Sequence, residues 1–283
     1  MRLICLVSVI GLFALKAQGQ IQAEILLEQN QFLRDESMQV KVRIVNRSGR
    51  TLNFGEEKDW LTFNIENRDD AVISKYGDAP VQGEFSLESS MQAMRRVDLM
   101  PYFDLSMPGR YRVTATIKVK DWPTPISTPP KQFDVVRGTK LWEQEFGVPS
   151  AEGVVEVRKF ALQQAQYMSK VQLYVRLTDL SENKVFKVFP VGQLVSFSRP
   201  EPQLDKQSHL HLLFQTGARA FAYIVVSPHG DITTRQTHEY AGSRPALQRN
   251  ESGVIFVSGG ARRISAADLP PPFTGNERPN AVR

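Results

Sequence analysis

Cysteine is nearly missing, with one in 283 residues. Cys5 lies inside the first apolar stretch, which reads as a leader, so the mature chain is expected to carry no thiol. That excludes a disulfide, a cysteine-ligated zinc or iron–sulfur cluster, and a cysteine nucleophile. Long hydrophobic runs are missing as well. The stretch from Leu3 to Leu15 is too short to span a bilayer of ~20 apolar residues, and no later segment approaches that length. No transmembrane span is therefore expected in the mature chain. Lysine and arginine gather only as the pairs Arg95-Arg96 and Arg262-Arg263, which leaves no basic patch for nucleic acid. Glycine (18) and proline (17) are near ordinary usage, which excludes collagen-like and low-complexity chains. What remains is 41% hydrophobic and 9% aromatic, enough apolar material for a packed core.

Residues 1–19 read as a signal peptide. Met1-Arg2 is a short positive start, the apolar run follows, and Ala17-Gln18-Gly19 sets small residues ahead of a cleavage site before Gln20. The expected location is secreted or periplasmic. Loss of the two cations Arg2 and Lys16 lowers the formal charge from +5 to +3. A thiol-free exported chain must be held by core packing alone, which suits domains of a hundred residues or more.

Beyond the leader the period is two. Met38, Val40, Val42 and Ile44 alternate with polar residues, as do Leu61, Phe63 and Ile65. The cleanest strand is predicted over Tyr111–Val119. Further strands are expected around Phe85, Val97 and Phe133. Trp122-Pro123-Thr124-Pro125 and Pro129-Pro130 break the last hairpin, because proline removes ladder donors. About seven short strands with regular turns argue for an antiparallel sandwich over residues 20–137. Residues 138–150 are expected to be a linker, 151–265 a second β domain, and 266–283 a disordered, proline-rich tail. In the second domain, Leu173–Asp179, Leu212–Gly217 and Ile255–Gly260 recur about forty residues apart, near the spacing of propeller blades. The fold class is thus all-β: two antiparallel β domains, the second a sandwich or an open propeller-like meander.

The string Asp104-Leu105-Ser106-Met107-Pro108-Gly109-Arg110-Tyr111-Arg112-Val113 resembles the E–F corner and F strand of immunoglobulin-like modules. It is similar to the bacterial Ig-like domain of the intracellular proteinase inhibitor (BsuPI-like) type. The resemblance implies an Ig-like sandwich for the first domain, with Gly109 at the corner, Tyr111 as the corner tyrosine, and Val113 where immunoglobulin domains place a buried cysteine. It brings no catalytic residue with it.

All four histidines lie in the second region. His209-Leu210-His211 puts two imidazoles on one strand face, and His238 could complete a zinc- or copper-type set. Met91, Met94, Met100 and Met107 cluster in the first region; methionine there is read as core filler or surface contact before copper ligand. No Gly-x-Ser-x-Gly elbow, His-Glu-x-x-His helix or phosphate-binding glycine loop is present. The chain is read as non-enzymatic and cofactor-free, an exported binding or structural module of the cell envelope whose partner is another envelope or extracellular protein. The alternatives are a protease inhibitor acting through an Ig-like loop, and a metal-binding protein using His209, His211 and His238.

Overall fold

The computed structural model describes residues 20–149, 155–264 and Asp268. The expected leader, with Cys5, and the expected tail apart from Asp268 lie outside the described residues. Among the described residues the chain is nearly all β, and its helical element is a single 3-10 turn at Met100–Tyr102. No helix among them is long and apolar enough to cross a membrane.

The first unit holds β1 (Ile21–Leu27), β2 (Gln31–Leu33), β3 (Gln39–Asn46), β4 (Leu52–Phe54) and β5 (Leu61–Asn67). It continues with β6 (Phe85–Leu87), β7 (Gln92–Asp98), β8 (Gly109–Ile117), β9 (Ile126–Ser127) and β10 (Lys131–Val136). One sheet runs β1-β3-β7 and the other β2-β10-β8-β5; β4 and β6 form a separate two-stranded side sheet. Every pairing is antiparallel except that of β2 with β10, which is parallel. The period-two pattern explains the packing. Val40, Val42 and Ile44 of β3 face Tyr111, Val113, Ala115 and Ile117 of β8 across one core, while the residues between them point to solvent. Full burial of each valine or isoleucine among them stabilises by roughly 1.5–3 kcal/mol. Trp60, just ahead of β5, is 2% exposed and donates its Nε1–H to the Val81 carbonyl at 2.8 Å. The proline-rich stretch is a loop, as its prolines require, apart from the brief pairing of β9 with β8.

The segment expected as a linker is a strand. Thr139–Pro149 forms β11, paired along its length with β12 (Val155–Tyr167). Its polar residues lie on an exposed edge; Phe146 and Val148 are buried in the core, and Trp142 packs against it partly covered. The sheet continues through β13 (Lys170–Asp179) and β14 (Val185–Leu194) as a sequential meander. A second meander follows: β15 (Glu201–Leu204), β16 (Leu210–Gln215), β17 (Ala220–Val226) and β18 (Ile232–Glu239). β19 (Ala246–Arg249) and β20 (Ile255–Ser258) make a hairpin, and β21 (Ala261–Arg263) returns to pair with β18. The two meanders pack face to face: Phe160, Leu162, Val175 and Leu177 of one meet Leu212, Phe214, Ile224 and Val226 of the other. The far side of the second sheet offers Leu213, Phe221, Tyr223 and Val225 to Leu247 and Ile255 of the hairpin. The three recurring segments do not occupy equivalent places. Leu173–Asp179 is on the third strand of its sheet, whereas the other two begin on second strands.

The two units meet at the turn after β2. Leu33 packs with Ala165, Tyr174 and Val188 of the second unit. Arg176 spans the seam, its Nη2 2.8 Å from Asp35 Oδ2. Gly138 joins β10 to β11 at a close approach: a Cβ there would lie 3.0 Å from Leu33 Cδ1 and 3.1 Å from Gln163 Cβ.

Candidate functional site

The expected corner residues Gly109, Tyr111 and Val113 all lie on β8. Gly109 opens β8, Tyr111 is 4% exposed, and its hydroxyl donates to the Met107 carbonyl four residues upstream. The Tyr111 ring stacks on Phe133 at 5.6 Å, and Val113 is wholly buried. Burial, then the charge of Asp104, pushes the Tyr111 phenol up, so the O–H stays a donor. Met91, Met94 and Met107 are exposed and Met100 is only partly buried against the core.

His209, His211 and His238 belong to the far face of the second sheet, whereas His229 lies in the loop between β17 and β18, its Nδ1 3.3 Å from an Arg158 guanidinium nitrogen. Asp205 follows β15, and its Oδ1 accepts the amides of Gln207 and His209, both at 2.8 Å. This closes a turn that feeds β16. His209 lies just ahead of that strand, with its Nδ1 3.3 Å from Asp205 Oδ2. His211, on β16, is 8% exposed. Its Nε2 lies 3.2 Å from Asp205 Oδ2 and its Nδ1 2.7 Å from Tyr223 Oη. Tyr223 reaches it diagonally, because Leu213 and Val225 are the direct cross-strand partners of Tyr223 and His211. His238, on β18, meets the Tyr223 ring edge-on at 6.3 Å, and its Nε2 is 3.4 Å from Gln236 Oε1.

This arrangement sets the protons. Burial pushes the Tyr223 phenol up to about 12, with the Asp205 charge acting in the same direction. Burial also holds the His211 imidazole below its ordinary value, against the pull of Asp205. Burial favours the acid form of Asp205, but its hydrogen bonds from His209, His211 and Gln207 outweigh that and keep the carboxyl low. The neutral His211 therefore accepts from Tyr223 O–H at Nδ1 and donates from Nε2 to the carboxylate. A nucleophilic tyrosine needs its pKa lowered; Tyr223 is shifted the other way. The chain of bonds ties the β15–β16 turn to the sheet beneath the hairpin.

The structure does not bring the expected histidine trio together. β17 lies between β16 and β18, and its Tyr223 ring stands between the two imidazoles, 6.0 Å from that of His211 and 6.3 Å from that of His238. Both nitrogens of His211 are already engaged. Among the described residues no three His, Cys, Asp or Glu side chains converge as a metal would need. Asp205 and Tyr223 were not singled out in the sequence. The turn string Asp205-Lys206-Gln207-Ser208 carries a signal for the first; nothing but strand register reveals the second.

No family model matches the chain, and no curated protein matches it. Among solved structures, it is similar to the crystal structure of Spo0M, a sporulation control protein from Bacillus subtilis. That similarity has a TM-score of 0.31 and 8% identity, over 61% of this chain and 89% of that one. A likeness this loose carries no argument about fold or role.

Proposed function

We propose that the protein is an exported, non-enzymatic binding module of the cell envelope, with an Ig-like first sandwich as its interaction unit. The observation that carries this reading is the Tyr111 corner set in a two-sheet sandwich whose strands β1, β3 and β7 face β10, β8 and β5. That order, with Trp60 buried just ahead of β5, supports the immunoglobulin-like reading. The polar cluster around His211 supports the non-enzymatic part, since both nitrogens of His211 are engaged and its tyrosine is held protonated. Metal carriage by His209, His211 and His238 finds no convergent ligand geometry among the described residues to favour it. Crosslinking in intact cells of the source, followed by mass spectrometry, tests the reading. A reproducible envelope or extracellular partner is expected. Hydrolysis of peptide, ester or glycoside substrates by the purified protein would overturn it.

A further inference from the structure

We propose that the joint between the two units is a latch that tightens in acid, worked by the carboxyl of Glu36. This goes beyond the binding-module reading and holds whatever the module binds. The joint is small and hangs on one turn. Its apolar part is Leu33, at the end of β2, against Ala165, Tyr174 and Val188 of the second unit, edged by Val136 and Val185. Three polar ties surround it. Gln31 donates its Nε2 to the Gln166 carbonyl, Arg176 Nη2 pairs with Asp35 at 2.8 Å, and Arg176 Nη1 donates to the Arg34 carbonyl at 3.4 Å. Each tie ends on residues 31–35, so release of that segment frees them all. The two main cores are separate clusters, and a joint of this size can part with both intact.

Glu36 closes this turn from within. It is buried, its Oε2 accepts the amide of Leu33 at 2.6 Å, and its Oε1 accepts Gln29 Nε2 at 2.7 Å. The residue that plugs the joint is thus held by the carboxyl itself. Among the described residues Glu36 pairs with no lysine, arginine or histidine. Its neighbour Asp35 takes Arg176 and, at 3.6 Å, Arg34. From the second unit Tyr174 of β13 faces the turn. Burial and then the charge of Glu36 push its phenol up, with Tyr167 acting the same way, so it stays neutral. Asp98 of β7 is occupied by the amides of Met38 and Met100, and Tyr76 is bonded to Asp104. An ionised Glu36 in the docked turn is therefore a buried charge without a counterion, which is costly. A proton removes that charge; parting the joint instead admits water to it.

Linkage sets the sign. Burial holds the docked carboxyl up at about 7, whereas in an opened, wet joint it returns towards 4.5. Between those values the open form has released a proton that the docked form keeps. Docking is then tightest in acid and loses about tenfold per pH unit across that window, ~300-fold in all, before levelling off.

A single buried thiol reads the opening. In the full chain carrying Cys5→Ser, Ala165→Cys places one sulfhydryl in the joint, and Ala115→Cys places one in the core of the first unit. Labelling by dipyridyl disulfide, divided at each pH by the rate for an unstructured peptide thiol, gives the protection. Ala165→Cys is expected to lose at least about 30-fold of its protection between about pH 4.5 and about pH 7. Near neutral pH it should label at least about tenfold faster than Ala115→Cys, because the joint opens locally. Val188→Cys, on another strand of the joint, should repeat the slope. With Glu36→Gln added, protection should change by less than about threefold over that range. Asparagine tolerates the left-handed backbone of Asp35 (φ 64°), so Asp35→Asn should lower protection at every pH and keep the slope. Equal labelling of the joint and core thiols overturns the proposal, as does a slope missing from both joint thiols or surviving Glu36→Gln. A slope abolished by Asp35→Asn assigns the titration to the seam pair and also overturns it. Each of these results leaves the crosslinking test of the binding module untouched.

Discussion

Replacing Glu36 with glutamine should stabilise the protein increasingly as the pH rises from acid to neutral. Glu36 is 3% exposed, in the turn after β2 that packs against the second unit. Its Oε2 accepts the Leu33 amide at 2.6 Å and its Oε1 accepts Gln29 Nε2 at 2.7 Å. Burial outweighs those bonds and pushes the carboxyl from 4.5 up to about 7. The native state therefore holds a proton that the unfolded chain has released between those two values, so stability falls as pH rises through that window. At ~1.4 kcal/mol per pKa unit the displacement amounts to about 3 kcal/mol above neutral pH. Glutamine keeps the shape and an acceptor for Leu33 N, and the Gln29 amide can turn over to meet its NH2. His211 and His238 act with the opposite sign: burial lowers both, so their share of stability is lost as pH falls below ~6.5. For that reason the informative quantity is the gap between variant and parent at each pH, in which the histidine contribution cancels. Urea unfolding followed by tryptophan fluorescence, from about pH 4 to about pH 8.5, measures that gap. It should widen from acid to neutral pH towards ~3 kcal/mol. A gap that is flat with pH, or that closes as pH rises, refutes the reasoning.

Three further outcomes are expected. Tyr111→Phe removes the corner hydrogen bond to Met107 and should cost about 1–2 kcal/mol by urea unfolding, with no change in far-UV circular dichroism. Gly138→Ala places a methyl 3.0 Å from Leu33 and 3.1 Å from Gln163; it should cost about 1–3 kcal/mol and speed proteolytic cleavage between the units. Tyr223→Phe leaves His211 Nδ1 buried without its donor and should cost about 1–3 kcal/mol. A double-mutant cycle with His211→Phe, read by urea unfolding, should then show that the two losses are not additive.

The strands that the sequence displays are those with one dry face and one wet one. β3 and β8 carry apolar residues at every second position because each lies over the core of a two-sheet sandwich. β11 escaped that rule: Thr139–Glu145 stands on an exposed edge, with no core-facing residue except the partly covered Trp142 until Phe146. β15, with four residues all half-buried, has no alternation to read. Tertiary placement overrode pattern in both cases. The placement of Tyr111 on the inner face of β8 was legible because the strand alternates, and its hydroxyl bond is local, to a carbonyl four places away.

The site was legible only as far as contacts are local in sequence. Asp205, His209 and His211 fall within one turn and the start of one strand, so their meeting could be inferred from spacing. Tyr223 and His238 reach the same face only through the registers of β16 with β17 and β17 with β18. A one-residue slip in either would turn those side chains to the opposite face. The same registers explain why a histidine pair that suggests a metal site becomes a hydrogen-bonded staple. β17 inserts a phenol between the two imidazole-bearing strands, and a phenol held protonated completes the donor–acceptor chain that an ion would otherwise have to satisfy. If that account is right, the Tyr223→Phe loss should persist undiminished in the presence of a strong chelator, because the bond it removes involves no ion.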